Sequence, residues 1–458
     1  MNPAATETAA MDMASVLHPF TPLRKHVEQG PFVIDRAEGV WLYDEAGRRY
    51  LDGIAGLWCA SLGYSEPRLA EAARRQFERL PFMHMFVSFS HSPGAELAGR
   101  LLDIAPVTMS KVFFANSGSE AVDSAIKMVW YYNNAVGRPA KKKIIARRDA
   151  YHGSLIGSGS VTGLPKNHQL FDLPIANILH TGKPHHFRFG HPGESEEEFG
   201  RRRADELEAQ ILSEGPDTVA AFIAEPIMGV GGVIVPPAGY FDAVQEVLER
   251  HDVLMIADEV ICGLGRTGNM WGSQTCAIRP DMLVSAKALS ASYLPISAVM
   301  VNERVHRGLM QGSDEVGVFA QGMTYSGHPV SAAVALECLN IYEDRDIVAH
   351  VRAVGEKLQE GLSQRYGDHP LVGEVRGRGL MAGVELVADR DSSTPTPADI
   401  NAGAVCQQHA KAHGLILRNM GNNLGFSPPL IITDEEIEFL LDTFGVALDE
   451  TYREIATA

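Results

Sequence analysis

The chain has 458 residues and a formal net charge of −17, and its hydrophobic and charged fractions, 45% and 21%, are typical of a folded globular protein. The acidic balance argues against a nucleic-acid partner, because binding to a polyanion needs a basic surface. The length is roughly three times a typical domain of about 150 residues, which leaves room for one large and one small domain.

The cysteines and the N-terminal sequence bear on the cellular compartment. The five cysteines are scattered without a CxxC pair, which favours reduced thiols over a zinc site or a disulfide framework. The first residues lack the basic and apolar regions of a signal peptide and the arginines of a transit peptide. No apolar run approaches the ~20 residues that cross a bilayer. We therefore expect a cytoplasmic protein without a membrane partner.

The central sequence alternates short apolar runs with amphipathic stretches. Strands are predicted at Lys111–Ala115, Lys143–Ala146, Val219–Ala224, Val253–Ala257 and Met282–Ser285. Helices are predicted at Glu120–Asn133, Arg201–Ser213 and Tyr240–Arg250, and the charge-rich run Glu194–Arg203 is expected to be a solvated helix start. This alternation predicts an α/β fold with a mainly parallel sheet sandwiched by helices.

The C-terminal sequence has a different pattern. From about Val330 it predicts helix, and then Val375–Leu386 and Gly414–Arg418 are each predicted as a strand, with helices between them. We expect a smaller α+β domain here, completed by the N-terminal segment. The predicted division is an N-terminal segment at 1–70 that joins the small domain, a large domain at 71–329 and the small C-terminal domain at 330–458.

Chemically capable side chains recur where the predicted parallel strands end, which is where ligands bind in such sheets. These groups are Asn116–Glu120, Tyr151–Gly153, Glu225-Pro226, Asp258-Glu259 and Lys287. Their recurrence at one edge is the main indication of a site.

Two of these residues suggest a specific chemistry. Lys287 lies between small and apolar residues, where burial would lower the pKa of its ammonium group, as an imine-forming amine requires, although most lysines are surface residues. Asp258 ends a strongly apolar strand and needs a partner. That partner could be a salt bridge or helix cap, or the cationic ring nitrogen of a cofactor such as pyridoxal 5'-phosphate (PLP).

Two further features are compatible with such a cofactor and also with ordinary structural roles. The Ser117-Gly118-Ser119 turn offers hydroxyls and a helix N-terminus to a phosphate, or it is a capped helix start. Tyr151 could stack on a flat ring, or it could be a boundary tyrosine.

Two rival sites have weaker patterns. Gly263–Gly268 matches GxGxxG and is followed by Asp281, as in a dinucleotide-binding dehydrogenase, but residues 258–262 separate it from the strand and a poor helix start follows it. A histidine cluster (His180, His185, His186 and His191) lies in a Gly/Pro-rich stretch without HxxxH spacing, so we expect no metal site.

The chain resembles the class III aminotransferases, PLP enzymes of fold type I that include the ω-transaminases. The resemblance runs from Trp41–Asp44 almost to the C-terminus. The matching blocks are Asn116–Asp123, Tyr151–Ser154, Glu225-Pro226, Asp258–Gly268, Ala286-Lys287 and Thr324–Pro329.

The resemblance implies a role for each matching position. Lys287 would bond PLP covalently and then move a proton between substrate and cofactor, while Asp258 would pair with the pyridinium nitrogen. Tyr151 would stack on one ring face and Val260 would pack on the other. The remaining cofactor-binding positions are Ser117, Gly118, Ser119, His152, Glu225 and, from the neighbouring subunit, Thr324.

The resemblance also implies the substrate side. Trp58, Phe86, Tyr151 and Val230 would surround the pocket, and Arg418 would clasp a carboxylate through paired hydrogen bonds. The expected activity is a ping-pong transfer in a homodimer or dimer of dimers, from an aromatic amine, a diamine such as putrescine or an ω-amino acid such as β-alanine to an α-keto acid, with pyruvate as the expected acceptor. Decarboxylation and an intramolecular amino shift are the nearest alternatives.

Three positions depart from the family pattern. Ala288 and Ser292 stand where many relatives have glycine, and Met228 stands where a glutamine is common. We expect these departures to affect substrate preference more than cofactor binding.

Overall fold

The computed structural model describes residues 6–390, 394–397 and 400–457. Within them the strands, labelled β1 to β16 in chain order, are Ile34–Glu38, Trp41–Asp44, Arg49–Asp52, Lys111–Ala115, Lys143–Arg147, Ile178–Thr181, Val219–Ala224, Leu254–Asp258, Met282–Ser285, Ser297–Val301, Val372–Arg378, Met381–Asp389, Thr394–Pro395, Leu415–Ile416, Arg418–Met420 and Asn423–Phe426.

The helices, labelled α1 to α16, are Glu7–Ser15, Leu23–Gln29, Ala55–Trp58, Pro67–Arg79, Ser92–Asp103, Gly118–Ala135, Ile156–Val161, His186–Phe189, Glu196–Glu214, Tyr240–Arg250, Gly272–Thr275, Glu303–Val316, Pro329–Asp344, Ile347–Tyr366, Ala402–Ala412 and Asp434–Thr457. Short 3₁₀ turns lie at Phe86–Ser88, Pro165–Asn167, Pro216–Thr218 and Lys287–Ser290. Among the helices described, none is both long enough and apolar enough to cross a membrane.

The predicted parallel sheet is present in the described part of the chain as seven strands in the order β4-β10-β9-β8-β7-β5-β6. The pairs β9–β8, β8–β7, β7–β5 and β5–β6 are parallel, whereas β10 is antiparallel to both of its neighbours. The α/β prediction is therefore confirmed. Strands β6 and β10 were not predicted.

Both faces of this sheet are buried, as its continuous apolar strands require. Because side chains alternate along a strand, Ile144 packs into a cluster with α6 and α12, while the next residue, Ile145, packs into a cluster with α9 and α10 on the other face. The strands are thus held between two layers of helices, and only their ends are available to bind a ligand.

The predicted solvated helix start is confirmed at α9. Ser195 precedes the helix, and its Oγ accepts the backbone N–H of Glu198 at 3.2 Å. The Glu198 carboxylate in turn accepts the backbone N–H of Ser195 at 2.9 Å, so that two otherwise unpaired donors are satisfied reciprocally.

The prediction of one strand at Val375–Leu386 was wrong. The segment contributes to two antiparallel strands, β11 and β12, which pair from Arg378 with Met381 back to Val372 with Leu386. Gly379 has a φ of +56° and lets the chain reverse between them, because a left-handed residue fits this turn. The apolar run therefore forms a hairpin, and its turn depends on one glycine.

The single strand predicted at Gly414–Arg418 was also wrong. β14 pairs in parallel with β3, whereas β15 pairs with β16 in a different sheet. Leu417 separates the two short strands. Long-range pairing decides this split, because the apolar run at residues 415–417 continues through the end of β14 without a local break signal.

The pairing of β14 with β3 brings the N-terminal segment against the C-terminal part of the chain, while the division at residues 70 and 329 stays a prediction. The backbone N–H of Gly53 donates to Ile416 O at 2.9 Å, and Ser427 donates to Gly53 O at 2.7 Å. From the large sheet's side, the buried Arg266 guanidinium donates to Leu380 O at 3.1 Å and also to Pro428 O. The Arg266 side chain therefore connects the two proposed domains by donating to backbone carbonyls of the C-terminal one.

Candidate active site

A cavity of about 340 Å³ lies where the parallel strands of the large sheet end. Because β10 is antiparallel, its first residues reach the same edge. The volume is in the range of roughly 300–1,000 Å³ common for small-molecule sites. The lining residues are Asn116, Ser117, Gly118, Ser119, Tyr151, His152, Gly153, Glu225, Asp258, Val260, Ile261, Ala286, Lys287, Ser290, Ser292, Leu294, Pro295 and Ile296.

Asp258, the last residue of β8, presents a buried and firmly held carboxylate to this cavity. Its Oδ2 lies 2.7 Å from Nδ1 of His152, whose side chain is also buried. Its Oδ1 accepts the backbone N–H of Val260 at 3.1 Å. Since both oxygens are engaged, the carboxylate is held in one orientation. Nε2 of His152 is buried without a hydrogen-bond partner among the described residues.

Lys287 lies at the start of the 3₁₀ turn that follows β9. Its φ of +48° is in the left-handed region, a strained conformation that the surrounding structure must hold. The turn is held by a bond from the Ser292 N–H to Lys287 O at 3.1 Å, and Tyr342 in α13 donates to Ala288 O at 3.3 Å. Burial lowers the pKa of the Lys287 ammonium, while the nearby Asp258 carboxylate acts in the opposite direction. The net direction favours the neutral amine.

The Ser117-Gly118-Ser119 turn begins α6, an 18-residue helix. Ser117 Oγ accepts the N–H of Glu120 at 3.2 Å, and Ser119 Oγ accepts the N–H of Ser154 at 3.2 Å. Each hydroxyl keeps its own hydrogen for a further acceptor. A methyl group on Gly118 would lie 3.1 Å from Cγ1 of Val260, so the glycine allows close approach to the cavity. The turn is a helix cap that can also receive an anion.

Glu225 positions the segment that carries Tyr151. Its Oε1 accepts the Tyr151 N–H at 3.1 Å, and its Oε2 accepts the Gly229 N–H at 2.8 Å. Burial raises the pKa of the Glu225 carboxyl and also that of the Tyr151 phenol. The ring of Phe20 meets the Tyr151 ring edge-on, with 6.5 Å between centroids. Tyr151 is thus held at the cavity wall, as a stacking residue requires.

Trp58 and Val230 do not line the cavity. Trp58 is buried in an apolar cluster with Ile261, and Val230 packs against the same cluster. Ile261 is the member of this cluster that reaches the cavity. The two predicted pocket residues therefore lie one side chain away from it.

Phe86 and Thr324 also lie outside the lining and are exposed. They belong to neighbouring segments, because a methyl group on Gly322 would lie 3.0 Å from Cζ of Phe86. Phe82 meets Tyr325 with 5.8 Å between ring centroids. Within one chain these segments form an apolar surface rather than a wall of the cavity.

Arg418 is the first residue of β15 and lies outside the lining, within electrostatic reach of Tyr151. Burial lowers the pKa of its guanidinium. In the described part of the chain its Nε is buried without a hydrogen-bond partner. An incompletely paired cation therefore lies beside the cavity.

The three departures occupy different environments. Ser292 has a φ of +62° and lines the cavity, so a residue with a side chain occupies a conformation that favours glycine. Ala288 is buried in the turn after Lys287, and Met228 is buried in a small apolar cluster with Ala150 and Ile234.

Sequence reasoning missed several lining residues, among them Ser290 and the segment 294–296. They connect Lys287 to β10, and a predicted antiparallel strand at Ser297–Val301 would have placed them at this edge. The signal was present in the apolar run of residues 298–301. Phe20 carried no comparable signal.

The GxGxxG segment is not a dinucleotide loop. Gly263–Gly268 lies in turns after β8, and the helix that follows, α11, has only four residues. A pyrophosphate site needs the N-terminus of a longer helix directly after the strand.

The residues present fit PLP. The cavity holds an amine at Lys287, a fixed carboxylate at Asp258 and the phosphate-compatible turn at the start of α6. The unpaired Nε2 of His152 leaves one polar atom at the Asp258 side that bound cofactor could satisfy.

Comparisons with known proteins agree with this geometry. The sequence model of the family described as "Aminotransferase class-III" matches residues 23–448. Gamma aminobutyrate transaminase 3, chloroplastic, from Solanum lycopersicum is 49% identical over 98% of this chain and 86% of its own length. Gamma-aminobutyrate transaminase 1, mitochondrial, from Oryza sativa subsp. indica is 48% identical over 99% and 88%.

Among solved structures, the omega transaminase from Pseudomonas jessenii in complex with PMP is 51% identical, with a TM-score of 0.97 over 98% of this chain and 99% of that one. The family model and the structural relative both match nearly the whole chain, and the cavity contains the lysine, the carboxylate and the helix cap that this family requires. The chain belongs to the class III aminotransferases and is a PLP-dependent transaminase of fold type I.

Proposed function

We propose that the enzyme moves an amino group from a primary amine or ω-amino acid to an α-keto acid, with pyruvate as the acceptor, in two half-reactions at one cavity. The observation that carries the proposal is the convergence of Lys287, Asp258 and the Ser117–Ser119 turn on that cavity, with the incompletely paired Arg418 beside it.

The chemistry divides between cofactor and protein. PLP supplies an electron sink for charge that develops on the substrate carbon. Lys287 is the proposed covalent attachment point and then the base, because burial favours the neutral amine that can accept a proton. Asp258 would keep the ring nitrogen protonated, and His152 holds that carboxylate in place at 2.7 Å.

The cofactor is anchored at its other end by the turn before α6. Ser117 and Ser119 offer their hydroxyl hydrogens to the phosphate, and the helix N-terminus adds backbone N–H groups. Tyr151 and Val260 both line the cavity and would pack against the two faces of the ring.

Arg418 supports a carboxylate-bearing substrate in at least one half-reaction. Burial of its guanidinium without a paired carboxylate among the described residues is unfavourable, and an anionic substrate would relieve this cost. The two plant relatives are named for 4-aminobutyrate, an ω-amino acid, and the structural relative is an omega transaminase. The two gamma-aminobutyrate names support ω-amino acids as donors, β-alanine included; apolar amines and a diamine such as putrescine are further donor classes to test.

We also propose a homodimer with shared sites. Around Phe86 and Thr324 the surface exposes large apolar side chains that a single chain leaves uncovered: Phe82, Phe86, Val87, Phe89 and Tyr325. A second copy covering this surface would bring Thr324 to the partner's phosphate turn and Phe86 to its pocket. Analytical ultracentrifugation tests this, with a monomer at micromolar concentration as the contradicting result; a dimer of dimers would give a tetramer.

The cytoplasmic location stays a prediction. Both plant relatives carry a plastid or mitochondrial location in their names, and those locations belong to those proteins.

A single-turnover experiment tests the reaction class. PLP-loaded enzyme mixed with 4-aminobutyrate or 1-phenylethylamine is expected to yield one equivalent of the oxo product and of pyridoxamine phosphate, without CO₂, and later addition of pyruvate should yield alanine. Release of CO₂ would indicate a decarboxylase. An isomer that keeps the nitrogen would indicate an aminomutase.

A further inference from the structure

The N-terminal segment contains a compact group of metal-ligand atoms that the transamination chemistry does not use. Asp12 lies in α1, His26 lies in α2, and His18 lies in the connection between them. The two imidazole nitrogens and a carboxylate oxygen of this group all lie within 4.8 Å of one another. Three ligands of hard and borderline type thus converge from a short stretch of chain.

Both imidazoles face the same carboxylate. Nε2 of His18 lies 2.9 Å from Asp12 Oδ1, and Nε2 of His26 lies 3.1 Å from the same oxygen. The two imidazole rings lie 4.2 Å apart with an interplanar angle of 37°. One carboxylate oxygen is therefore the meeting point of two ring nitrogens.

The contact of His26 is close without being a formed hydrogen bond. Its Nε2 is shielded from solvent and has no hydrogen-bond partner in the described part of the chain, and its side chain is only 8% exposed. A buried ring nitrogen that lies near a carboxylate but forms no hydrogen bond with it is energetically unfavourable. The same nitrogen would be satisfied as a ligand to a cation between the three side chains.

The spacing suits tetrahedral zinc. Zinc–nitrogen and zinc–oxygen bonds of about 2.0 Å place neighbouring ligand atoms about 3.3 Å apart in a tetrahedron. The observed separations of 2.9 and 3.1 Å from Asp12 Oδ1 need to widen by only a few tenths of an ångström. We propose that Asp12, His18 and His26 bind a divalent transition-metal ion of the zinc type, with water completing the coordination.

A second cluster of histidine and carboxylate side chains in the molecule differs from this one, because an arginine already pairs with its carboxylates. His185 lies 2.8 Å from Glu374, but Arg376 Nη1 lies 2.5 Å from Glu374 and 2.9 Å from Glu385. The guanidinium occupies the position a metal would take. Asp12, by contrast, forms its ion pairs with the two imidazoles alone among the residues described.

The proposed metal would affect the cavity through Phe20. This residue lies between His18 and His26, is 71% exposed and has a φ of +49°. Its ring rests edge-on against Tyr151. A metal ion bound by His18 and His26 closes a short loop that contains Phe20. The closed loop restricts the motion of Phe20 and so stabilises the position of its ring at the cavity wall.

Zinc chloride titrated into the full-length, PLP-loaded and EDTA-treated enzyme tests the proposal. We expect one equivalent of zinc per chain by calorimetry and by elemental analysis after gel filtration, and at least tenfold weaker binding in His26→Gln and in His18→Gln. His251→Gln is the matched control, because His251 lies 2.9 Å from a Glu208 oxygen that already pairs with Arg250. It should bind zinc like the wild type.

Limited proteolysis gives an independent readout. Arg24 and Lys25 are exposed and lie between the two histidines, so zinc should slow tryptic cleavage there in the wild type and not in His26→Gln. Circular dichroism before titration shows that each variant is folded. The proposal is overturned if the wild type takes up no zinc, if His26→Gln and His18→Gln bind it as tightly as the wild type, or if His251→Gln alone loses it.

Discussion

The cavity at the strand ends of the large sheet is built differently from the segments that surround the cavity. At the edge, regular strand ends bring Lys287, Asp258 and the Ser117–Ser119 turn into one cavity within a single chain. Around it, Thr324 and Phe86 are exposed on loops, and Arg418 comes from a short strand of another sheet. Under the proposed roles, the bond-making groups depend on one sheet, whereas substrate choice depends on elements that this sheet does not position.

The largest effect that separates the two regions is expected for Asp258→Asn. Loss of the charge opposite the cofactor nitrogen should lower kcat/KM about 10²- to 10³-fold for every donor, because a preorganised charge at a reacting centre contributes about that much. Steady-state kinetics with two unlike donors measures this loss. Asp281→Asn is the control, since Asp281 accepts the Met255 N–H at 2.9 Å before β9 begins and lies away from the cavity edge. A donor-dependent loss in Asp258→Asn would contradict the division between chemistry and selection.

Glu259 tests the rigidity of the loop after β8. Its carboxylate accepts the N–H groups of Gly272 and Ser273 at 2.9 and 2.5 Å, and burial raises its pKa to about 7. Because the unfolded pKa is about 4.3, the folded state binds the extra proton between these values, so this residue's contribution to stability falls as the pH rises from about 4.5 to 7.

The variant Glu259→Gln removes that titration. The unfolding free energy of the wild type relative to Glu259→Gln should fall by about 1.4 kcal/mol per pH unit across this window, about 3 kcal/mol in total, and stay level above it. Urea unfolding at several pH values gives the difference. A difference that is flat from pH 4.5 to 7 would show that the loop does not hold a protonated carboxyl.

Arg418→Ala tests the residues proposed to select the substrate. Loss of a charge-assisted pair costs about 1.5–3 kcal/mol, so kcat/KM should fall about 10- to 100-fold for 4-aminobutyrate and for pyruvate. The half-reaction with 1-phenylethylamine, which has no carboxylate, serves as the internal control and should change little. If the pyruvate half-reaction is untouched, the role assigned to Arg418 is wrong.

The smallest effect is expected at Ser292, which stands where many relatives have glycine and has a left-handed backbone conformation. Ser292→Gly should stabilise the enzyme by about 1 kcal/mol, because glycine adopts this conformation without strain. Ser290→Gly in the same turn should destabilise it, since Ser290 Oγ donates to Leu294 O at 2.6 Å. Thermal unfolding of both variants gives the two signs, and a loss of stability in Ser292→Gly would contradict the strain.

The sequence predicted the chemical edge better than its surroundings for a physical reason. Strands such as Val219–Ala224 are buried on both faces, so each appears as a short apolar run, and the polar residue after it marks the edge. The edge residues therefore follow from local pattern, and the family resemblance then supplied their expected roles.

The rest depended on long-range contacts. The hairpin at Gly379 and the division at Leu417 are decided by pairing partners far away in the chain, which a local apolar pattern does not reveal. Phe20, in the connection between α1 and α2, contacts Tyr151 across more than a hundred residues of chain, so no local pattern reveals the pair. Thr324 lies outside the cavity of its own chain, so its proposed role requires a second copy.

The most direct test of the central claim is the identity of the residue that bonds PLP. Purified enzyme incubated with PLP, reduced with borohydride and digested should give one modified peptide, with the covalent adduct on Lys287, and Lys287→Ala should give none. An adduct on another lysine, or an equal yield of adduct in Lys287→Ala, would contradict the account.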